Sequence, residues 1–196
     1  MLTKLEVRRQ TVHLLFGLIL VGLIYFDLIN AAVLFVLLFV LFIVSDLVNK
    51  GIKIPFISLL FDSLERKSER KGMRAKGMFF YILGSALALI LFPKDIAMAS
   101  IMILAFGDSV SRLVGPYGYL KHPFNNKKFI EGVVAGGVAA AFGAAFFVDI
   151  ISAVFASAIS MFIESLDIEI NNFRLDDNFT IPIIAGTVIY VLNYVL

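Results

Sequence analysis

The sequence predicts an all-α fold: a polytopic integral membrane helical bundle of about seven transmembrane helices, with the N terminus cytoplasmic. Three observations predict it. Hydrophobic residues make up 60% of the 196 residues and charged ones only 16%, with a mean hydropathy of +0.95, well outside the range of a soluble domain. Seven runs carry no Asp, Glu, Lys or Arg. The charges that remain are segregated by side once those runs are threaded back and forth across a bilayer.

The charge-free runs are 10–26, 28–45, 77–93, 96–107, 132–148, 150–163 and 178–196. Most approach the roughly 17 to 25 residues that a spanning helix needs. The fourth and sixth are short, and cross only if Asp95, Asp108, Asp149 and Glu164 stand at their ends, in water or against protein. The first run lacks a small-residue cleavage site and is followed at once by a second, so it reads as a retained helix rather than a cleaved signal. The absence of cysteine excludes a disulfide framework, a thiolate metal site and a thiol nucleophile.

With the N terminus inside, the cytoplasmic segments are 1–9, 46–76, 108–131 and 164–177. They hold sixteen of the seventeen Lys and Arg residues, only Lys94 falling outside, as the positive-inside rule requires. The outer connections, near 27–30, 93–95 and 149, are too short to build a site, so any chemistry is expected on the cytoplasmic side. In the longest inner loop, Phe56, Leu59, Leu60 and Leu64 share one helical face ahead of a polar stretch from Glu65 to Lys76. This predicts a short helix on the inner leaflet, with Arg66, Lys67, Arg70 and Lys71 facing anionic lipid. There is no internal repeat, and residues 1–196 read as one membrane-embedded catalytic domain.

In the fifth run Gly132, Gly136, Gly137, Ala140, Gly143 and Ala144 recur at spacings that let helices approach closely. The segment 107–131 has a different character. Gly107, Asp108, Ser109, Gly115, Gly118, Lys127, Lys128 and Glu131 read as a loop joining two helices. Glycines admit a close approach of backbone to phosphate, and amides and lysines offset its charge. Asp108 and Glu131 are hard oxygen ligands suited to Mg2+, which binds through one or two carboxylates plus substrate phosphates. The plain alternative is a helix-helix turn with Glu131 at a helix N-terminus, where a carboxylate is favoured anyway. Arg9 and His13 stand four residues apart on one face of the first helix, at the same inner mouth. Asp177 and Asn178 suit a helix N-cap, with Pro182 tolerated early in the helix or at a kink. Asp46 reads equally as a water-facing terminus or a site carboxylate, and Asp167, Glu169 and Asp176 as solvated.

Taken in order, these elements resemble the CTP-dependent polyprenol and lipid kinases, the family that includes dolichol kinase, phytol kinase and the yeast-type diacylglycerol kinase. Gly107-Asp108-Ser109-Val110-Ser111-Arg112-Leu113-Val114-Gly115, with Gly118, is similar to the family's Gly-Asp segment. Asn126-Lys127-Lys128-Phe129-Ile130-Glu131-Gly132 is similar to its Lys-Lys-Ser/Thr-x-Glu-Gly element. Arg9, His13 and Gly17 resemble an N-terminal Arg-Lys-x-x-His signature. Glu164 and Asp177-Asn178-Phe179-Thr180-Ile181-Pro182 resemble the late Glu and Asp-Asn-x-Thr-x-Pro element. The sequence departs at Gln10, where the family has Lys, and at Phe129, where it has Ser or Thr. It is also short beside the eukaryotic dolichol kinases, like a minimal catalytic core.

The resemblance implies transfer of the terminal phosphoryl group of CTP, or another nucleoside triphosphate, to the hydroxyl of a membrane isoprenoid alcohol or diradylglycerol, with Mg2+. It implies Asp108, Glu131, Asp177 and His13 as catalytic candidates, and Asp108, Glu131, Glu164 and Asp177 as metal ligands. Gly107, Ser109, Arg112, Gly115, Lys127, Lys128, Gly132 and Asn178 would bind nucleotide, with Arg9 beside them. The partners would be a nucleoside triphosphate, a lipid alcohol and membrane lipids, without nucleic acid. An oligomer is compatible with the sequence. The setting would be the cell membrane, or the endoplasmic reticulum of a eukaryote. An alternative is a CDP-lipid-forming cytidylyltransferase, but that family's late Ser-x-x-x-Arg and Lys-Asp signature is absent. A small transporter would place ionisable residues within its spans, and these spans hold almost none.

Overall fold

The computed structural model describes residues 2–65, 72–166, 169–170 and 173–194. The predicted lipid-facing Arg66, Lys67, Arg70 and Lys71, together with Asp167 and the side chain of Glu169, lie outside them. The described residues form eight α-helices: α1 (Lys4–Tyr25), α2 (Ala31–Asn49), α3 (Ile57–Leu64), α4 (Lys76–Leu91), α5 (Lys94–Val114), α6 (Ile130–Ala144), α7 (Ile150–Ser165) and α8 (Asp177–Tyr194). Two small antiparallel ribbons were not expected: β1 (Lys121–His122) with β2 (Asn125–Phe129), and β3 (Glu169–Ile170) with β4 (Phe173–Arg174). The fold is all-α in class, and among the described residues α1, α2 and α5 are long and apolar enough to cross a membrane.

Helix α5 is the axis of the bundle. It packs against α1, α6 and α8, and more lightly against α4 and α7. Ile96, Ala97, Ala99, Ile101, Ile103, Leu104 and Ala105 are fully enclosed. The fourth charge-free run stops at Gly107, yet the helix continues through Val114, for 21 residues or about 32 Å at 1.5 Å per residue. The expected loop from 107 therefore begins at Gly115. The reason is local neutralisation: Arg112 Nε donates to Asp108 Oδ1 one turn away at 2.7 Å, and the surrounding helices, not lipid, cover that turn.

Between apolar helices in lipid there is little hydrophobic drive, so close packing and polar contacts hold the bundle. A Cβ on Gly136 would lie 2.7 Å from the Gly107 carbonyl oxygen, and one on Gly132 2.7 Å from the Gly115 Cα, whereas Gly137 faces open space. The small-residue stripe of α6 is thus its contact with α5, and Gly137 stands off it. Pro182 lies inside α8 and leaves the Asn178 carbonyl without its usual amide donor. Gly84 of α4 packs there, its absent Cβ only 2.5 Å from that oxygen. At the opposite end of the bundle Asp149 caps α7, accepting from Ile151 N at 3.0 Å and Ser152 N at 2.9 Å. Hydrogen bonding from Ser152 holds its pKa below the usual carboxylate value.

Helix α2 packs chiefly on α4 and leaves Val36, Phe39, Val40 and Phe42 outward, a continuous apolar face of the kind that lipid covers. A short helix, α3, forms in the longest inner loop as expected, but Phe56 precedes it as its N-cap and its buried residue is Phe61, outside the expected face. Phe61 is buried, while Phe56 is 86% and Leu59 73% exposed.

Candidate functional site

Alternating connectivity gathers the N-terminal ends of α1, α4, α6 and α8 with the C-terminal ends of α2, α5 and α7. Long-range hydrogen bonds tie that end together. Ser109 Oγ donates to the Gln10 carbonyl at 3.3 Å, Asn178 Nδ2 to the Gly77 carbonyl at 3.2 Å, and Ser45 Oγ to the Arg74 carbonyl at 2.8 Å.

Three acidic residues from three helices meet here. Asp108 (α5) and Glu164 (α7) are buried, and Asp177 opens α8. One oxygen from each lies within 4.8 Å of the others. Like charges at that spacing in a partly enclosed site repel, and two cations oppose them. Arg112 bridges Asp108 to Asp177, its Nη2 donating to Asp177 Oδ2 at 3.0 Å. Lys128, on β2, pairs with Glu164 Oε1 and donates to the Glu164 carbonyl oxygen at 2.7 Å. Three carboxylates against two cations leave one negative charge in excess. Glu164 Oε2 is buried without a hydrogen-bond partner. An acceptor-only carboxylate oxygen left unpaired in the interior is costly, and a divalent cation among three hard oxygens would satisfy it. The residues present therefore fit Mg2+.

Why Asp177 is available is clear from its neighbour. Asp176, expected to be solvated, caps α8, its Oδ1 accepting from Asn178 N at 3.2 Å. With the cap supplied one residue earlier, the Asp177 side chain is released to the cluster.

Two cavities flank the cluster and share Arg112. The larger, about 640 Å3, is lined by Ser111, Gly115, Lys127, Lys128, Glu164 and Asp177 among others. The smaller, about 170 Å3, lies between α1, α3 and α4 and reaches Arg9, His13, Asp108 and Asn178. His13 Nε2 is 3.8 Å from Asp108 Oδ2, and Arg9 is 3.8 Å from Glu6.

Other residues singled out from the sequence are placed differently. Glu131 does not join the three carboxylates. Its Oε1 accepts from Tyr119 N at 2.8 Å and Leu120 N at 3.0 Å, so it ties down the loop after α5. Gly107 packs on Met161 of α7 and Ala140 of α6, and Gly132 on Gly115, contacts that close α5 on α6 and α7. Ser109 is buried against α1 through its bond to Gln10. Asp46 pairs with Lys50 at 2.6 Å on the surface and lines neither cavity.

Sequence reasoning did not find Tyr81, whose ring meets His13 edge-on at 4.7 Å, because it sits in an apolar run with no polar neighbour in sequence. It also missed the docking of the β1–β2 ribbon on α7. There Ser165 Oγ and His122 Nε2 are 3.1 Å apart, and Asn125 Nδ2 donates to the Ser165 carbonyl at 3.0 Å. That docking delivers Lys128 to Glu164.

No protein-family model matches the chain, and no solved structure matches it. It is 29% identical over 185 residues to an uncharacterised protein of Methanocaldococcus jannaschii, covering 94% of this chain and 92% of that one. It is 29% identical over 153 residues to an uncharacterised protein of Rickettsia prowazekii, covering 72% and 71%. It is 27% identical over 139 residues to the CTP-dependent diacylglycerol kinase 1 of Eremothecium gossypii, covering 59% of this chain and 44% of the kinase. The chain thus spans less than half the length of that kinase. The likeness is distant and partial.

Proposed function

We propose that this protein is a membrane lipid kinase that transfers the terminal phosphoryl group of CTP, or another nucleoside triphosphate, to the hydroxyl of a membrane alcohol. The observation that carries the reading is the meeting of Asp108, Glu164 and Asp177 with Arg112 and Lys128 between two cavities. The distant likeness to a CTP-dependent diacylglycerol kinase supports the same class of reaction.

In this reading the triphosphate occupies the larger cavity, where Lys127 and Lys128 offset its charge and Gly115 admits it close to the backbone. Mg2+, held by Asp108, Glu164 and Asp177, would neutralise charge developing on the phosphates. Arg112, held by two carboxylates, has its orientation set before substrate arrives, which lowers the reorganisation needed in the transition state. The acceptor oxygen attacks the terminal phosphorus, the bond to the bridging oxygen breaks, and the nucleoside diphosphate leaves. The hydroxyl proton passes to Asp108 or to His13 beside it. Asp177 and Glu164 stay paired with Arg112 and Lys128, and Glu131 keeps the loop after α5 in place. The segregation of sixteen of seventeen Lys and Arg residues favours a cytoplasmic face for this end.

The test is transfer of label from gamma-labelled CTP, compared with ATP, to a panel of long-chain alcohols and diradylglycerols by the purified chain with Mg2+. Labelled lipid phosphate is expected. Pyrophosphate release with a lipid phosphate as acceptor would replace the reading with a cytidylyltransferase, and full activity of Asp108→Ala and Lys128→Ala would refute the site.

A further inference from the structure

We infer that the β1–β2 ribbon is an interfacial anchor: Leu120 and Phe124 enter the headgroup layer of the leaflet at the carboxylate end of the bundle, and the bilayer surface thereby holds the ribbon that brings Lys128 to Glu164. The anchoring rests on the membrane placement of the helices, and only its consequence for turnover rests on the kinase reading.

Helix length is the first observation. Helices α6 and α7 are apolar but have only 15 and 16 residues, about 22 and 24 Å at 1.5 Å per residue, against a hydrocarbon core of about 30 Å. The charged cap Asp149 sets the outer end of α7 at water, so its inner end stops short of the opposite headgroups. The ribbon is attached there, leading into α6 and docked on α7. A short span is accommodated by a thinner bilayer or by flanking residues drawn to the interface. In either case leaflet and ribbon meet.

The apolar faces of both helices continue onto the ribbon. Ile130, Val134, Val138 and Phe142 stand exposed one turn apart on α6, as do Phe155 and Phe162 two turns apart on α7. Ile130 N donates to the Leu120 carbonyl at 2.9 Å, which sets Leu120, 61% exposed, at the head of the α6 stripe. His122 is buried, its ring centroid 6.3 Å from that of Phe162 and 5.9 Å from that of Phe124. That chain of rings carries the α7 stripe on to Phe124, 73% exposed at the ribbon's turn. Exposed apolar surface of this extent marks a contact, and its continuity with two helix faces that suit lipid names the bilayer.

The ribbon's own chemistry fixes the depth. Its strands pair with each other, Lys121 opposite Phe129 and His122 opposite Asn125, but the outer edges of a two-stranded ribbon need water, which excludes the hydrocarbon core and leaves the interface. Exposed Lys121 can lay its stem along the apolar layer and its ammonium among lipid phosphates. Tyr117 and Tyr119, also exposed, are of a residue type enriched at that level. The consequence reaches the carboxylates, because the same ribbon is held to Ser165 through His122 and Asn125 and ends on Glu164 through Lys128. Lipid that binds the docked ribbon and not the detached one favours the docked state by mass action.

The experiment uses the full chain in lipid nanodiscs. The chain has no tryptophan, so Phe124→Trp and Phe39→Trp each supply a single reporter, the second on the outward face of α2. Lipid brominated near the headgroup is expected to quench Phe124→Trp at least twofold more than lipid brominated near the bilayer centre, with the reverse order for Phe39→Trp. Quenching of Phe124→Trp by aqueous acrylamide alone would put the turn in water and overturn the anchor. Quenching by none of the three would put a second copy of the chain over it and overturn the anchor equally. For the coupling, Phe124→Asp in nanodiscs is expected to lose at least fivefold in amide-exchange protection at Ile130 and in kcat/KM for phosphoryl transfer, whereas Phe124→Leu keeps both. Protection and transfer unchanged in Phe124→Asp would overturn the coupling. Headgroup-level quenching in a wild-type background that transfers phosphate from no donor would sink the kinase reading and leave the anchor standing, so the two fail separately.

Discussion

Addition of Mg2+ to the purified protein should stabilise it, and Asp177→Asn should abolish that effect while leaving the metal-free protein nearly as stable. At an effective dielectric of about 20, two unit charges at the outer limit of 4.8 Å repel by about 3.5 kcal/mol, and by more at any shorter spacing. Asp177 bears such a repulsion from both Asp108 and Glu164. Its attraction to Arg112 at 3.0 Å is about 5.5 kcal/mol on the same scale. The isosteric amide removes all three, so the repulsions relieved oppose the attraction lost. The metal-bound state is different, because the amide withdraws one of three anionic ligands. For wild type, free Mg2+ at a hundred times its Kd stabilises by about 2.7 kcal/mol, a Tm rise of roughly 5–11 °C for a chain of this size. The assay is thermal unfolding in detergent across a Mg2+ series, with and without EDTA. Equal Mg2+-dependent shifts in wild type and Asp177→Asn, or no shift in wild type at any concentration, would refute the argument.

Lys128→Met leaves the buried Glu164 carboxylate unpaired and should destabilise by about 3–5 kcal/mol. Lys128→Met with Glu164→Gln should recover most of that loss, and the Tm of the pair against each single variant checks it. Gly132→Ala places a methyl 2.7 Å from the Gly115 Cα and should cost about 1–3 kcal/mol. Gly137→Ala, facing open space, should gain about 0.5–1 kcal/mol, and shifts of the same sign in both would show the α5–α6 packing to be misread. Asp149→Ala should cost about 1 kcal/mol through loss of the α7 cap. Because that carboxylate's folded pKa is depressed, its contribution is present above the unfolded value and fades as pH falls through the folded one. Wild type and Asp149→Ala should therefore converge in Tm under acid.

The sequence by itself determined the class of this protein. Away from water the backbone polar groups must be satisfied by a helix or a closed barrel, unbroken apolar runs of this length suit helices and not short alternating strands, and an apolar face such as that of α2 suits lipid. The polar residues at one set of helix ends were legible for the same reason, charge being excluded from the apolar runs between them. Helix boundaries were legible only where charge and burial agree. Asp108 and Arg112 read as a loop because each is charged, whereas the fold encloses them as an ion pair on α5, a solution visible only once α1 and α8 surround that turn. Glu131 looked like a ligand beside two lysines, but the tertiary structure spends its carboxylate on the amides of Tyr119 and Leu120. In its stead Glu164, 36 residues beyond Lys128, meets that lysine because the β1–β2 ribbon docks on the end of α7. Tyr81 and Gln10 gained their place from the packing of α1 against α4 and α5. Proximity across helices is a property of how the bundle closes, and no local spacing in the chain encodes it.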